Sequence, residues 1–111
     1  MATTTNETTR NILDFLLNSR HFAWRENVLP VPVQRKGVVV GFRSGGKSGI
    51  SDIVGVLSPE GRSLFVEIKT GKDKLRPVQK AFLDQAKSCG ALVMIVKDFN
   101  DFLEQWKMMN L

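Results

Sequence analysis

Three residues near the middle of this chain, Asp52, Glu67 and Lys69, have the types and spacing to act on a phosphodiester. Hydrolysis of that ester at a divalent metal needs hard oxygen ligands for Mg²⁺ or Mn²⁺, a positioned water, and positive charge to meet the negative charge developing on phosphorus. Two carboxylates and an ammonium supply those parts. Side chains alternate along a strand, so Leu64, Val66 and Ile68 share one face while Phe65, Glu67 and Lys69 share the other. Pairing the preceding apolar segment antiparallel across Pro59-Glu60-Gly61 brings Asp52 beside the end of the second strand, near Glu67. Singly, each residue has an ordinary explanation: an Asx turn opening a strand for Asp52, a solvated cross-face ion pair for Glu67 and Lys69. Apolar strands leading into all three, with Gln79 arriving at a helix start, favour a site.

The elements that must position these residues can be read on either side. Ile12, Leu13, Leu16 and Leu17 follow a Thr4 to Glu7 capping box at helical spacing, predicting a first helix from about Thr5 to Asn18. His21 to Arg35, with Pro30 and Pro32, suits an extended lead-in segment or an edge strand. Val38 to Phe42 reads as the first clear strand. Asp52 to Leu57, apolar on both faces, reads as a central one. Pro77 suits the first turn of a second helix whose apolar side is Val78, Phe82, Ala86 and Cys89, ending at Gly90. Ala91 to Val96 is a buried strand, most simply parallel to the strand containing Phe65. Asn100 can cap a last helix, with Phe102, Leu103, Trp106 and Met109 as its apolar stripe.

At 111 residues the chain matches the commonest domain size, and a single domain over residues 1–111 is expected. Its 42% hydrophobic and 24% charged residues are ordinary for a soluble globule, and no apolar run approaches the ~20 residues of a membrane span. Cys89 is the one cysteine, so no internal disulfide can form, and the amino terminus lacks a signal-peptide layout; a cytoplasmic setting is expected. Sixteen basic residues against eleven acidic, with a pI near 9.7, suit a polyanionic partner. Their distribution says more. Asn27 to Ser51 holds no acid yet includes Arg35, Lys36, Arg43 and Lys47, and Lys72, Lys74 and Arg76 follow the Glu67–Lys69 pair.

Gly41 to Ser48 satisfies a P-loop pattern, which would make the chain a nucleotide-binding protein. That chemistry requires a helix starting at the Lys-Ser end, so that its amides cradle phosphates, whereas Ile50 to Leu57 reads as a strand. No nucleotide cofactor is expected, and Arg43 and Lys47 are assigned instead to DNA phosphates.

The arrangement resembles the PD-(D/E)XK nuclease superfamily, with Ser51-Asp52 as the first half-motif and, after fourteen intervening residues, Glu67-Ile68-Lys69 as the second. More specifically it is similar to the VRR-NUC (virus-type replication-repair nuclease) branch. The matching residues are Trp24-Arg25-x-Asn27, Gly49-x-Ser51-Asp52-Ile53, Gly61-Arg62, Glu67-Ile68-Lys69-Thr70-Gly71 and Leu75-x-Pro77-x-Gln79-x-x-Phe82, which span most of the chain. The resemblance implies an α/β fold with a restriction-endonuclease-like αβββαβ core and a mixed four-stranded sheet flanked by helices. It also implies Asp52, Glu67 and the carbonyl of Ile68 as ligands of Mg²⁺ or Mn²⁺, Lys69 as orienter of the water, Gln79 as its assistant, and Glu7 as an additional acid. Freestanding members are similar to Holliday junction resolvases, so a DNA-repair endonuclease for branched DNA is the expectation. One site per domain and two cuts per junction then imply a homodimer, with contact expected through Val28 to Val33 ahead of the 108–111 tail. A non-catalytic DNA-binding module on the same fold is the alternative, and the intact Asp52, Glu67 and Lys69 argue against it.

Overall fold

The computed structural model describes residues 5–26, 30–44, 52–72 and 74–109, without the side chains of 5, 30–32 and 42–44. In chain order the elements are α1 (Thr5–Asn18), β1 (Phe22–Arg25), β2 (Pro30–Arg35), β3 (Val38–Ser44), β4 (Ile53–Leu57), β5 (Arg62–Ile68), α2 (Pro77–Ser88), β6 (Leu92–Val96) and α3 (Phe99–Met108). A mixed sheet of order β1-β4-β5-β6 carries the fold, antiparallel from β1 to β5 and parallel between β5 and β6. With its flanking helices this is a restriction-endonuclease-like α/β architecture.

Alternation sorts the sheet into two unlike faces. On one, Ile53 and Leu57 of β4, Leu64, Val66 and Ile68 of β5, and Leu92, Met94 and Val96 of β6 are all buried, clustered with Ile12 and Leu16 of α1 and Phe102 of α3. Leu17, expected in that stripe, lies outside it and is exposed, while Thr8 and Thr9, one turn before Ile12, are buried. Phe15 of α1 meets Phe99, Phe102 and Trp106 of α3 edge-on, and Phe102 and Trp106 make a tilted ring contact within α3. Gly55 also faces this side. A Cβ there would lie 2.9 Å from the Phe22 carbonyl oxygen and 3.1 Å from the Ala23 Cβ, so the close seat of β1 on β4 requires glycine.

On the opposite face, α2 lies over the β5–β6 half, and Phe82 meets Phe65 edge-on with ring centroids 5.3 Å apart. The fully buried residues of α2 are Gln79 and Leu83; of the expected stripe Phe82 and Ala86 are half-buried, while Val78 and Cys89 are exposed. A buried glutamine at the helix start thus turns the helix away from the position its apolar residues suggest. The last helix is capped by Asp98, whose carboxylate accepts the Asp101 N–H at 2.8 Å, rather than by Asn100. His21 is half-buried, its ring 5.5 Å from that of Trp106 and its Nδ1 accepting the Ser58 N–H at 3.0 Å.

Val38 to Phe42 is a strand, but it does not join the main sheet. It belongs to β3, which pairs with β2 in a separate two-stranded sheet, and the third antiparallel place in the main sheet goes to β1. The β2–β3 turn is two residues long, Lys36 and Gly37, with φ of 52° and 79°. Both left-handed values match the turn class that follows the natural twist of a hairpin.

Candidate active site

Two hairpin strands and a helix start converge at one end of the main sheet. Asp52 immediately precedes β4, Glu67 is the penultimate residue of β5, Lys69 follows it, and Gln79 sits in the first turn of α2. Antiparallel pairing of β4 with β5 sets Ile53 opposite Val66 and so delivers Asp52 to Glu67 and Ile68. The Asp52 Oδ2 accepts the backbone N–H of Ile68 at 2.8 Å.

Glu67 stands on the sheet face under α2 and is 2% exposed. Its Oε1 accepts the Gln79 side-chain amide at 2.9 Å and lies 3.4 Å from the Lys69 ammonium. Its Oε2 is buried and has no hydrogen-bond partner among the described residues. Burial, and next the charge of Asp52, push the Glu67 carboxyl up to about 7, with Lys69 opposing both. Gln79, itself 5% exposed, is held from behind, since its Oε1 accepts the Arg76 N–H at 3.0 Å. Arg76 has extended backbone at the helix N-cap, and Pro77 follows as a first residue that needs no N–H partner.

An unpartnered buried carboxylate oxygen beside a second carboxylate is a donor set that suits a small hard cation. Magnesium is commonly held by one or two carboxylates, with waters and phosphate oxygens completing the octahedron. Among the described residues, no group of three or more Asp, Glu, His or Cys comes together in this way, and Glu7 lies exposed in the first turn of α1. The expected additional acid is therefore not gathered with Asp52 and Glu67. A cavity of about 500 Å³ lined by Arg62, Phe65, Phe82 and Ala86 holds none of Asp52, Glu67, Lys69 or Gln79.

Of the expected DNA contacts, Lys72, Lys74 and Arg76 are exposed along the connection from β5 to α2, on the rim of the site. Arg35 and Lys36 are exposed at the hairpin turn. The Arg43 side chain and Lys47 lie outside the described residues, as does the rest of the P-loop pattern beyond Ser44. The next described element is the strand β4 rather than a helix. One neighbour went unforeseen. The Glu26 N–H donates to the Asp52 carbonyl at 2.9 Å, and the Glu26 carboxylate accepts the Trp24 indole N–H at 3.1 Å. The alternation Phe22-Ala23-Trp24-Arg25 is the signal that could have disclosed this strand.

A four-stranded mixed sheet carrying an Asp and a Glu-x-Lys on adjacent strand ends defines a nuclease-type fold. Within that class the chain belongs to the VRR-NUC domain family, whose model matches residues 8–98. No curated protein matches the chain at a significant level.

Proposed function

We propose that this chain is a Mg²⁺- or Mn²⁺-dependent DNA endonuclease, a single domain acting as a homodimer on branched DNA of the four-way-junction type. The observation that carries the reading is Glu67: a buried carboxylate beside Asp52, with one oxygen unpartnered among the described residues, is costly unless a proton or a cation completes it. Asp52, Glu67 and the Ile68 carbonyl are the residues assigned to hold that ion. When bound, it supplies Lewis-acid polarisation of a phosphate oxygen and acidifies a water.

The chain's own residues do the rest. Gln79 holds Glu67 through Oε1 and leaves Oε2, without a hydrogen bond among the described residues, as the oxygen that would bind the ion. Asp52 is fixed by the Ile68 N–H, so neither carboxylate has to reorganise when the ion arrives. Lys69, beside the same Glu67 oxygen, is placed to orient the attacking water and to offset negative charge on the phosphoryl group in the transition state. Lys72, Lys74, Arg76, Arg35 and Lys36 hold phosphates on either side. Exposed Val38, Val39 and Val40 of β3 add apolar surface to the hairpin whose other strand begins with Pro30 to Val33 of the expected dimer contact; Val28, Leu29 and the side chains of 30–32 lie outside the described residues.

Incubating the purified protein with labelled junctions, flaps and linear duplexes, with Mg²⁺ or with EDTA, tests the reading. Metal-dependent cleavage of the junction in paired, symmetric fashion is expected. Binding without cleavage under every metal condition identifies a non-catalytic module instead.

A further inference from the structure

The half of the catalytic sheet face that α2 leaves open carries an aromatic pair to which the nuclease machinery assigns no work. Trp24 pairs with Val54, which pairs with Phe65, and Phe22 pairs with Val56, which pairs with Ser63. Register partners point the same way, and Phe65 is two residues before Glu67. Phe22, Trp24, Val54 and Val56 therefore share a face with Glu67. Phe22 is 64% exposed, Trp24 38% and Val56 39%, whereas Ala23 between the two rings is buried against the α1 side. The rings stand 5.2 Å apart at 44°.

We infer that Trp24, with Phe22, is a stacking platform for an unpaired nucleobase of the DNA strand that enters the site. The inference rests on the DNA-acting reading above and adds a base-binding site to it. Three relationships support this occupant. Trp24 lies two strands from β5, on the order of 10 Å across the sheet, near the end where Asp52 and Glu67 meet. Its indole N–H donates to the Glu26 carboxylate, and Glu26 donates its own N–H to the Asp52 carbonyl, which links the platform to the strand end that carries the carboxylate. The patch is also small: three exposed apolar side chains on a four-residue edge strand and its neighbour fall far short of the roughly 800 Å² per partner of a stable protein interface, but they match one or two bases. Stacking accepts any base, because every base has a π-face, and a fully paired duplex cannot offer one. The platform therefore selects for strands with unpaired bases, such as a single-stranded flap or the bases freed when the centre of a junction is opened.

Binding measured in EDTA separates this site from cleavage. Trp24→Ala is expected to weaken binding of an oligo(dT) single strand by about tenfold, with Trp24→Phe keeping most of the affinity and a blunt duplex of equal length little affected by either. In the unmodified protein, ultraviolet irradiation with a bromodeoxyuridine-substituted single strand is expected to cross-link Trp24 or Phe22, a readout that stands even where the alanine variant fails to fold. Equal losses on single strand and duplex, cross-links mapping only elsewhere, or a variant that differs from wild type only in oligomeric state by light scattering each overturn the platform. The last outcome gives the patch to a second copy of the chain. Cross-linking at Trp24 in a protein that never cleaves with Mg²⁺ or Mn²⁺ sinks the nuclease reading and leaves the platform standing. Cleavage with Trp24→Ala indistinguishable from wild type in every binding assay does the reverse.

Discussion

The Asp52 carboxylate accepts the backbone N–H of Ile68 at 2.8 Å, so one half of the motif is anchored by the other half's main chain. Asp52 thus has both a structural partner and a proposed ligand role, and two substitutions pull these apart. Asp52→Asn keeps an acceptor for the Ile68 N–H and should melt near wild type while losing cleavage. Asp52→Ala should lose cleavage and also about 1–2 kcal/mol of stability in urea titrations, from the unpaired N–H. Cleavage surviving in the asparagine variant removes Asp52 from the ligand set.

Glu67 makes stability depend on pH with a definite sign. Its carboxyl sits at about 7 in the fold against an ordinary 4.5, so the folded state holds the proton more tightly than the unfolded chain. That contribution to stability is fully present below about 4.5 and is lost as pH rises through about 7. In EDTA, wild type should therefore melt at progressively lower temperature from pH 5 to pH 8, and Glu67→Gln should flatten the trend. Added Mn²⁺ should restore wild type at pH 8 and leave the glutamine variant unmoved, since ion binding competes with the same proton.

Lys69 should matter to rate more than to binding. An ammonium that offsets charge formed only in the transition state affects kcat, so Lys69→Ala is expected to slow cleavage by about 10²–10³-fold at saturating Mg²⁺. DNA affinity in EDTA should change by no more than the loss of one phosphate-range charge. Single-turnover cleavage alongside filter binding separates the two, and an unchanged rate reduces Lys69 to a structural ion-pair partner.

Gln79 bridges Glu67 and the N–H of Arg76, the N-cap of α2, and truncation orphans both. Gln79→Leu should cost about 1–3 kcal/mol in denaturant melts and reduce cleavage through misplacement of Glu67. Gln79→Glu should keep the bond to the Arg76 N–H but place a second carboxylate against Glu67, moving the pH at which Mn²⁺ binds upward. Calorimetric titration with Mn²⁺ across pH 6–8 reads that shift.

Replacing Arg35 and Lys36 together with alanine should weaken binding of every DNA tested and lower the salt slope by about two units, roughly 0.9 per phosphate contact. An unchanged slope removes the hairpin turn from the DNA surface.

The chemistry was more legible in the sequence than the framework. Asp52, Glu67 and Lys69 stand out because strand alternation and a short turn suffice to bring them together, and both are local properties. The strand holding Val38 to Val40 was legible as a strand but not by location: an apolar run with both faces exposed has the same pattern as one with both faces buried. The strand β1 that takes its place in the sheet is only four residues long and follows directly on a helix, where pattern carries little weight. On α2, Val78 and Cys89 outweigh Gln79 on any apolar scale. The helix nonetheless turns Gln79 inward, because the buried Glu67 carboxylate offers it a partner that no one-dimensional reading contains. Asp98 rather than Asn100 caps α3, a choice between two residues of similar capping strength made by where β6 ends.

The hairpin from β4 to β5 also says which changes of length such a domain can accept. Asp52 and Glu67 are separated by two strands and the loop of residues 58–61, and the loop lies at the far end of the hairpin from both carboxylates. Insertions at residues 58–61 lengthen the interval between the half-motifs and leave their meeting point in place. Within β5 the rule is parity: deleting one residue between Arg62 and Glu67 turns the carboxylate onto the α1 face, into the hydrocarbon core, while deleting two keeps it on the α2 side one pleat short of Asp52. Related chains should accordingly vary freely in the number of residues at this loop and hardly at all within the strand leading to the glutamate.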